Sequence, residues 1–169
     1  TEASGRWLAL INPDAYADPD WLATLLAATT LYPEVRCFAS RQLMAEDTSR
    51  LDGLGDVMSA TGFPYRGGYK RRDPGPLPAG EVFSACGGAM LIDRDLFVGM
   101  GGLDERLFCY CEDVDLGYRL RSHVFAYLRD TDLSVAGRVL PPEFPPDSRF
   151  DRPQPGLYAA ILAGDTRWQ

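Results

Sequence analysis

The first forty residues contain two short apolar runs separated by an amphipathic stretch. The first run, residues 6–11, ends in Asn12-Pro13-Asp14, which is typical of a buried strand that leads into a turn. The second run, residues 35–40, has the length and apolar content of another strand. With a helical pattern between them, the order strand, helix, strand predicts an α/β layer.

The stretch between these two runs has the start and stop signals of a helix. Asp18 is a good N-cap residue, and Pro19 suits the first helical position. Tyr32-Pro33 should end the helix, because the residue before a proline avoids helical backbone. Four residues at helical spacing form the predicted core face: Leu22, Leu25, Leu26 and Thr29.

The middle of the chain predicts a long excursion followed by a strand and a short helix. Residues 52–80 are rich in glycine, proline and charge, so we expect at most short strands in a loop that is functional or mobile. Residues 82–92 have the apolar content of a strand, and Gly87-Gly88 within them indicates a close backbone approach. Residues 93–98 should form one or two helical turns, ended by the glycines that follow.

An acidic segment opens the last predicted helix, residues 112–122. Glu112, Asp113 and Asp115 fall in its first turn, where free backbone N–H groups and the helix dipole favour negative charge. Asp115 can pair with Arg119 at i,i+4 near solvent. An inward-facing Asp113 is costly unless it is hydrogen-bonded, paired or used for chemistry; the alternative is an acidic cap on a surface helix. Two leucines share its helical face and should be buried: Leu116 and Leu120.

Composition limits the possible functions. With 169 residues, 46% hydrophobic and 24% charged, the chain has the size and composition of one globular domain. A net charge of −7 argues against a non-specific nucleic-acid binder, since the one basic cluster is Lys70-Arg71-Arg72. No apolar run approaches the roughly 20 residues that cross a bilayer, which leaves peripheral membrane attachment open.

The cysteines and the single histidine form no recognisable metal or catalytic motif. Cys37, Cys86, Cys109 and Cys111 include no C-x-x-C pair, and His123 cannot complete a common zinc site with them. We expect free thiols in a reducing compartment and His123 at a helix end on the surface. The spacings exclude an EF-hand, a dinucleotide glycine motif and a phosphate-binding loop, and without a G-x-S-x-G elbow they disfavour a Ser-His-Asp site.

The order of two acidic motifs is more informative than either motif alone. Asn12-Pro13-Asp14 is either an Asx-type turn or a carboxylate site for a hard divalent cation shared with a phosphate. About one hundred residues later, Asp113 and its neighbours would supply a base. The segments RWLALINPDAYADPDWLATLLAA and EVFSACGGAMLIDRDLFVGMGGLDERLFCYCEDVDLGYRLR, in that order, resemble the family 2 glycosyltransferases of the GT-A fold, in particular the rhamnosyltransferase-like members. In the family's G-G-F-D-E segment, Leu103 replaces phenylalanine here.

The roles that this resemblance implies follow by position. Asn12-Pro13-Asp14 takes the place of the family's D-x-D motif, so Asp14 would coordinate a divalent metal, Mg or Mn, that holds the donor's diphosphate, and Asn12 would bind the donor. Asp113, in its pair with Glu112, matches the catalytic base, and a base facing away from the leaving group implies inversion at the anomeric carbon. Four residues would contact the acceptor: Gly87, Gly88, Asp104 and Glu105.

The resemblance also predicts how the chain is divided. Residues 1–122 would be the C-terminal half of a GT-A domain, a mixed sheet flanked by helices, cut from a longer protein whose N-terminal nucleotide-binding half is missing. Residues 123–169 would be a divergent, poorly ordered tail with few long-range contacts, apart from a short helix at 157–163. Six of the 13 prolines lie at 141–155, where they remove backbone donors. The loss of the motif after Arg121 indicates a reading-frame change or a divergent tail.

The expected function is therefore that of an inverting, metal-dependent glycosyltransferase, or of a fragment of one. Its partners would be a nucleotide-sugar donor and a hydroxyl of a cell-surface polysaccharide or lipid-linked glycan, with no nucleic acid. Its location would be cytoplasmic, with peripheral association at the inner face of the plasma membrane as a further option. The alternative is a non-catalytic acidic binding or structural module, or an inactive fragment.

Overall fold

The computed structural model describes residues 2–107, 110–130 and 158–168, with no account of the side chains from 122 onward. The strands are β1 (Trp7–Ile11), β2 (Ala15–Ala17), β3 (Cys37–Met44), β4 (Leu51–Gly53), β5 (Asp56–Met58), β6 (Pro64–Arg66), β7 (Ala89–Asp93) and β8 (Tyr158–Trp168). The helices are α1 (Trp21–Leu31), α2 (Arg94–Gly99) and α3 (Glu112–Asp130), with a 3₁₀ turn at Glu105–Leu107.

The main sheet is mixed, and β3 lies at its centre. The strand order is β1-β7-β3-β8-β2, in which β3 and β8 run parallel and the other paired neighbours run antiparallel. On the edge of β3 opposite β8, β7 pairs with its first half and β4 with its second half. A separate hairpin joins β5 to β6, with Asp56 opposite Arg66.

Helices cover both faces of this sheet, as the alternation of side chains along β7 shows. Ala89 and Leu91 pack on one face, where they meet Leu25 of α1 and Phe38 of β3. Met90 and Ile92 point to the other face, where a second cluster is formed with α2 and α3, including Leu96, Leu116 and Leu120. The predicted mixed sheet flanked by helices is confirmed, and the assignment to the GT-A fold stays a prediction.

Helix α1 forms where the pattern predicts it, but with a different start and a different core face. Asp20, not Asp18, occupies the N-cap position, because residues 18–21 form a turn in which the Asp18 carbonyl accepts the Trp21 N–H at 3.0 Å. The side chains buried against the sheet are Trp21, Leu25 and Ala28. Leu22 and Leu26 are more than 40% exposed, so the predicted face was right only at Leu25.

The elements around the glycine pair and the acidic segment follow the prediction with two changes of length. The strand predicted over 82–92 is regular only as β7, and residues 82–86 instead form an irregular segment that is largely buried. Helix α2 is capped by Asp93, whose carboxylate accepts the Leu96 N–H at 3.0 Å. Helix α3 begins at Glu112 as predicted but continues to Asp130, so His123 lies within the helix and not at its end.

The end of the chain returns to the sheet. The helix predicted at 157–163 is wrong, because Tyr158–Trp168 forms β8 along the whole length of β3 and also pairs with β2. The expectation of few long-range contacts fails for this segment for the same reason. A short apolar run is ambiguous between helix and strand, and here the unpaired edge of β3 supplies backbone partners that only a strand can use. The proline-rich 141–155 lies outside the described residues.

Two smaller expectations concern cysteines and membrane crossing. Within the described residues Cys37 and Cys86 are free and buried, and Cys111 is free and exposed. Burial raises the pKa of the Cys37 thiol to about 12 and that of Cys86 to about 11. Among the helices described, none has both the length and the apolar character needed to span a bilayer.

Candidate active site

Asp113 is fixed at the start of α3 by a backbone contact with the glycine pair. Its Oδ2 accepts the Gly87 N–H at 2.8 Å, and its Oδ1 accepts the Val114 N–H at 2.8 Å. A Cβ added at Gly87 would lie 3.2 Å from the Asp113 Cβ, so a larger residue there would push the two segments a few tenths of an ångström apart. The prediction of a close backbone approach at Gly87-Gly88 is confirmed, and its partner is the predicted base.

The hydrogen bonds of Asp113 leave part of its carboxylate available. Each oxygen of an ionised carboxylate has two acceptor positions, and the two N–H groups that contact Asp113 use one on each oxygen. Next to it, Glu112 Oε2 is buried without a hydrogen-bond partner in the described part of the chain. A buried carboxylate oxygen without a partner is unusual in a folded protein.

The backbone leading into this helix is strained. Tyr110 and Cys111 both have φ of 70°, the left-handed region that side chains other than glycine adopt at a cost. Two such residues in succession, directly before the acidic pair, force the chain to turn sharply into α3. Strain of this kind persists where the surrounding structure needs one particular orientation of the groups that follow.

Helix α3 is held in place on both sides by arginines and by a glycine contact. Arg119 pairs with Asp115 at 2.7 Å, as predicted, and also donates to the carbonyl of Gly102 at 2.8 Å. Arg121 donates to the Phe83 carbonyl at 2.9 Å and to Glu81 at 2.9 Å. These contacts fix the rotation of α3.

The glycine of α3 brings the helix against the irregular segment. A Cβ on Gly117 would come within 2.2 Å of the Ser84 Cβ, far inside contact distance. The helix backbone therefore lies directly on Ser84. Gly87, three residues after Ser84, donates its N–H to Asp113. The packing of Gly117 on Ser84 therefore sets the position of the Asp113 carboxylate relative to Gly87.

The Asn12–Asp14 turn reaches the same glycine pair. Asn12 donates its N–H to the Gly88 carbonyl at 2.9 Å, and its own carbonyl accepts the Ala15 N–H at 3.0 Å. Asn12 and Asp14 are both exposed. The two acidic motifs, far apart in sequence, thus adjoin neighbouring residues of one dipeptide, Gly87-Gly88.

The four predicted acceptor-binding residues fall into two groups. Gly87 and Gly88 join the two motifs, as described above. Asp104 is engaged by Arg106, whose side chain and backbone N–H both donate to it and lower the pKa of Asp104 to about 2. Glu105 begins the exposed 3₁₀ turn that follows. The described residues contain no group of three or more metal-ligating side chains.

Sequence reasoning missed a buried polar cluster beside Asp113. Asp56 is 5% exposed, and its Oδ2 accepts the Ser84 hydroxyl at 2.8 Å. Opposite it on β6, Arg66 forms an ion pair with Asp52. Desolvation, followed by the negative charge of Asp113, raises the pKa of Asp56 to about 6. The carboxyls of Asp56 and Asp113 are therefore close enough to interact.

The glycines of this region are a sequence signal for the cluster, although the composition of residues 52–80 predicts only a loop with short strands. Glycines flank the polar residues of the β5–β6 hairpin, and two of them adopt positive φ: Gly55 at 77° and Gly68 at 72°. Added Cβ atoms there would lie 2.9 Å from Val82 and 2.8 Å from Leu51. Glycines that permit such contacts indicate a fixed structure, whereas a flexible excursion would not need them.

The raised pKa of Asp56 predicts a stability change with pH. Because the folded-state pKa, about 6, lies above the ordinary 3.8, the folded protein binds this proton more tightly than the unfolded chain. Stability from Asp56 is therefore complete below about pH 4 and is lost as the pH rises to about 6, by at most about 3 kcal/mol. Asp56→Asn should remove that loss and be the more stable protein at neutral pH.

Urea unfolding of both proteins between about pH 4 and pH 7 measures this difference. The range stops at about pH 4 because Asp104, whose pKa is lowered to about 2, loses its contribution to stability mainly below that pH. Asp20→Asn, at an exposed position without a side-chain cap, is the matched control. The prediction would be contradicted if the free energy of unfolding changed with pH by the same amount in Asp56→Asn and in the unmodified protein.

Comparison with known proteins adds an independent observation. The chain is 33% identical over 133 residues to the O-antigen biosynthesis protein RfbC of Myxococcus xanthus, a match covering 72% of this chain and 10% of that protein. It is 29% identical over 130 residues to the N-acetylglucosaminyl-diphospho-decaprenol L-rhamnosyltransferase of Mycobacterium tuberculosis, covering 68% of this chain and 41% of the relative, with the same result in two strains. No protein-family model matches.

These matches agree with the class of protein that the motif order predicts. One relative is named for O-antigen biosynthesis and the other is named a glycosyltransferase. The chain spans less than half the length of either relative. The similarity covers too little of either relative to show the family, and the family 2 assignment stays a prediction.

Proposed function

We propose that this chain contributes the acceptor-side part of a glycosyltransferase site, in which Asp113 is the general base. The observation that carries the proposal is the Asp113 carboxylate, oriented by the Gly87 and Val114 N–H groups at 2.8 Å each. A base must be held in one orientation and keep a free acceptor position, and Asp113 meets both conditions. The names of the relatives support transfer of a sugar, with rhamnose as one example.

The proposed reaction assigns one proton transfer to this chain. A sugar hydroxyl is a poor nucleophile until a positioned base accepts its proton during attack. Asp113 takes that proton while the hydroxyl oxygen bonds to the anomeric carbon of the donor. The bond from that carbon to the nucleotide diphosphate breaks, and the diphosphate leaves with the electron pair. Attack from the Asp113 side, opposite the leaving group, inverts the anomeric centre.

The unpartnered Glu112 oxygen is proposed to bind the acceptor. Glu112 Oε2 is buried, so a second hydroxyl of the acceptor sugar can donate to it only after the Glu112 side chain turns outward. That contact would orient the reacting hydroxyl towards Asp113 and distinguish acceptors that carry a neighbouring hydroxyl from those that lack it.

A divalent cation, Mg or Mn, is proposed at the Asn12–Asp14 turn. The described residues supply Asp14 as a single exposed carboxylate there, which fits a cation such as Mg²⁺ that takes one or two carboxylates and completes its shell with phosphate oxygens and water. When bound, the cation would neutralise the charge that develops on the departing diphosphate. Asn12 would contact the donor beside it.

Asp14→Ala should therefore weaken metal-dependent binding of the donor, by about tenfold or more, as well as turnover. Titration of nucleotide sugars into the full protein encoded by the gene, with Mg²⁺ or with a chelator, measures this effect. Asp20→Ala removes the same charge from a nearby exposed position and should bind normally. Equal donor affinity of Asp14→Ala and Asp20→Ala would exclude Asp14 as the metal ligand.

The function itself is tested by transfer from labelled nucleotide sugars to acceptors that carry a sugar on a polyprenyl diphosphate. The full protein should transfer one of these sugars in a reaction that requires the divalent cation. If no nucleotide sugar binds and no labelled product forms with any acceptor, the non-catalytic alternative is correct, and the acidic residues of α3 serve only as a helix cap.

A further inference from the structure

The outer surface of the β5–β6 hairpin carries exposed aromatic rings. Phe63 is 74% exposed, Tyr65 is 55% exposed and Tyr69 is 50% exposed. Tyr65 lies on the solvent side of β6, whereas its neighbour Arg66 is half-buried and forms the ion pair with Asp52. Three large rings at such exposure within seven residues are costly in water and indicate a surface that meets another phase or molecule.

A cationic run continues directly from these rings. Lys70, Arg71 and Arg72 are consecutive and all exposed, in a chain whose net charge is −7. The Lys70 ammonium lies 5.2 Å from the centre of the Tyr69 ring, so the aromatic and basic groups form one surface. We call residues 63–72 the hairpin surface.

The backbone holds the hairpin surface in a fixed shape. The Lys70 N–H donates to the Leu51 carbonyl at 2.9 Å, and the Leu51 N–H donates to the Arg71 carbonyl at 2.9 Å. Lys70 has φ of 60°, a left-handed conformation retained by these contacts. The rings and charges are thus presented by an ordered segment anchored to β4.

We propose that the hairpin surface docks on an anionic lipid bilayer. Aromatic rings favour the headgroup region, and each lysine or arginine near an anionic leaflet adds about 1 kcal/mol of attraction. The complementary charge is local, since the chain as a whole is acidic and would be repelled by the leaflet elsewhere. A nucleic acid is disfavoured by the same net charge.

The docking surface is joined to the candidate active site through the same hairpin. Arg66, which follows Tyr65 on β6, points inward to Asp52 and lies opposite Asp56 in the hairpin. Asp56 in turn is close enough to Asp113 for their charges to interact. Docking through Tyr65 would therefore place the Asp113 carboxylate close to the membrane surface. A lipid-linked acceptor is found there, so this inference rests on the proposed function.

The test compares binding of the full chain to vesicles of phosphatidylcholine with and without phosphatidylglycerol. We expect binding only to the anionic vesicles, with a reduction at high salt. Arg71→Gln/Arg72→Gln should lower the partition coefficient by about 10- to 30-fold, and Phe63→Ser/Tyr65→Ser should also lower it. The matched control, Arg6→Gln/Arg94→Gln, removes two positive charges from elsewhere on the chain and should bind like the unmodified protein. Thermal melting of each variant confirms that it is folded.

Several results would overturn the docking proposal. The first is equal binding of the protein to neutral and anionic vesicles. The second is an equal loss of vesicle binding in the hairpin variants and in the control variant. The third is preferential binding of single-stranded RNA over anionic vesicles. The vesicle assay does not require transfer, so it separates this inference from the proposed function. Transfer to a short water-soluble acceptor without vesicle binding would contradict docking alone, and vesicle binding without any transfer would contradict the proposed function alone.

Discussion

Asp113→Asn should reduce glycosyl transfer by about 10²- to 10⁴-fold, the range expected for loss of a general base. The amide keeps the shape of the carboxylate, and its oxygen can still accept the Gly87 N–H, but it cannot take the acceptor's proton. Donor affinity should remain close to normal, because Asp113 lies on the acceptor side of the proposed site. Initial rates with labelled donor and direct donor titration separate these two effects.

Asp115→Asn is the matched control for this experiment. It removes a carboxylate from the same helical turn and weakens the pair with Arg119, which measures 2.7 Å, so it should cost some stability and leave turnover nearly unchanged. Near-normal turnover of Asp113→Asn would show that Asp113 is not the base. Equal losses in both variants would mean that the charge of the helix start matters and the position of Asp113 does not.

Among glycine-to-alanine substitutions in the described residues, Gly117→Ala should destabilise the fold most. The added Cβ would lie 2.2 Å from the Ser84 Cβ and 3.1 Å from its Cα, and backbone on both sides leaves no flexible side chain to move away. We expect a loss of about 1–3 kcal/mol or more in the free energy of unfolding, as for other overpacked cores. The helix must shift, so the amide of Gly87 should lose its contact with Asp113.

Urea unfolding measures the first effect, and the amide NMR shift or hydrogen exchange of Gly87 measures the second. Gly99→Ala is the control, because Gly99 ends α2 with no atom within 4 Å of an added Cβ. Alanine there should be neutral or slightly stabilising, since it is the better helix former. If Gly117→Ala matched Gly99→Ala in stability, the close packing of α3 on Ser84 would be wrong.

The buried cluster connects these two predictions. Ser84, on which Gly117 lies, also donates to Asp56 at 2.8 Å, and the charge of Asp113 contributes to the raised pKa of Asp56. A shift of α3 therefore changes the environment of both carboxyls at once. In Asp113→Asn the pKa of Asp56 should fall towards its ordinary value, because the second carboxylate is no longer charged.

The sequence pattern predicts the features that depend only on residues close together in the chain. The start of α3 at Glu112, the short helix that follows Asp93 and the burial of Leu116 and Leu120 follow from helix-boundary signals and helical spacing. The close approach at Gly87-Gly88 also follows from sequence, because few other reasons place two glycines in an apolar run. The identity of the group that approaches, Asp113, required the structure.

Other features depend on contacts with residues that are distant in the chain, which the local sequence pattern does not predict. Helix α1 buries Trp21 and Ala28 in place of Leu22 and Leu26, because its rotation is set by the sheet and by the bond from the Trp21 indole Nε1–H to the Ser40 hydroxyl at 2.8 Å. Residues 158–168 form a strand because β3 offers an open edge. In both cases a residue far along the chain decided between two conformations of similar local preference.

The sequence by itself determined the class of fold, the order of its early elements, the two acidic motifs and the resemblance that gives them roles. These are encoded in short-range spacing and in the chemistry of single residues. Only the tertiary structure decided that Asp56 is buried beside Asp113, that Arg66 faces the cluster while Tyr65 faces solvent, and that both motifs adjoin Gly87-Gly88. Burial and charge interaction depend on distances through space, which the hairpin and the packing of α3 set and which no spacing along the chain records.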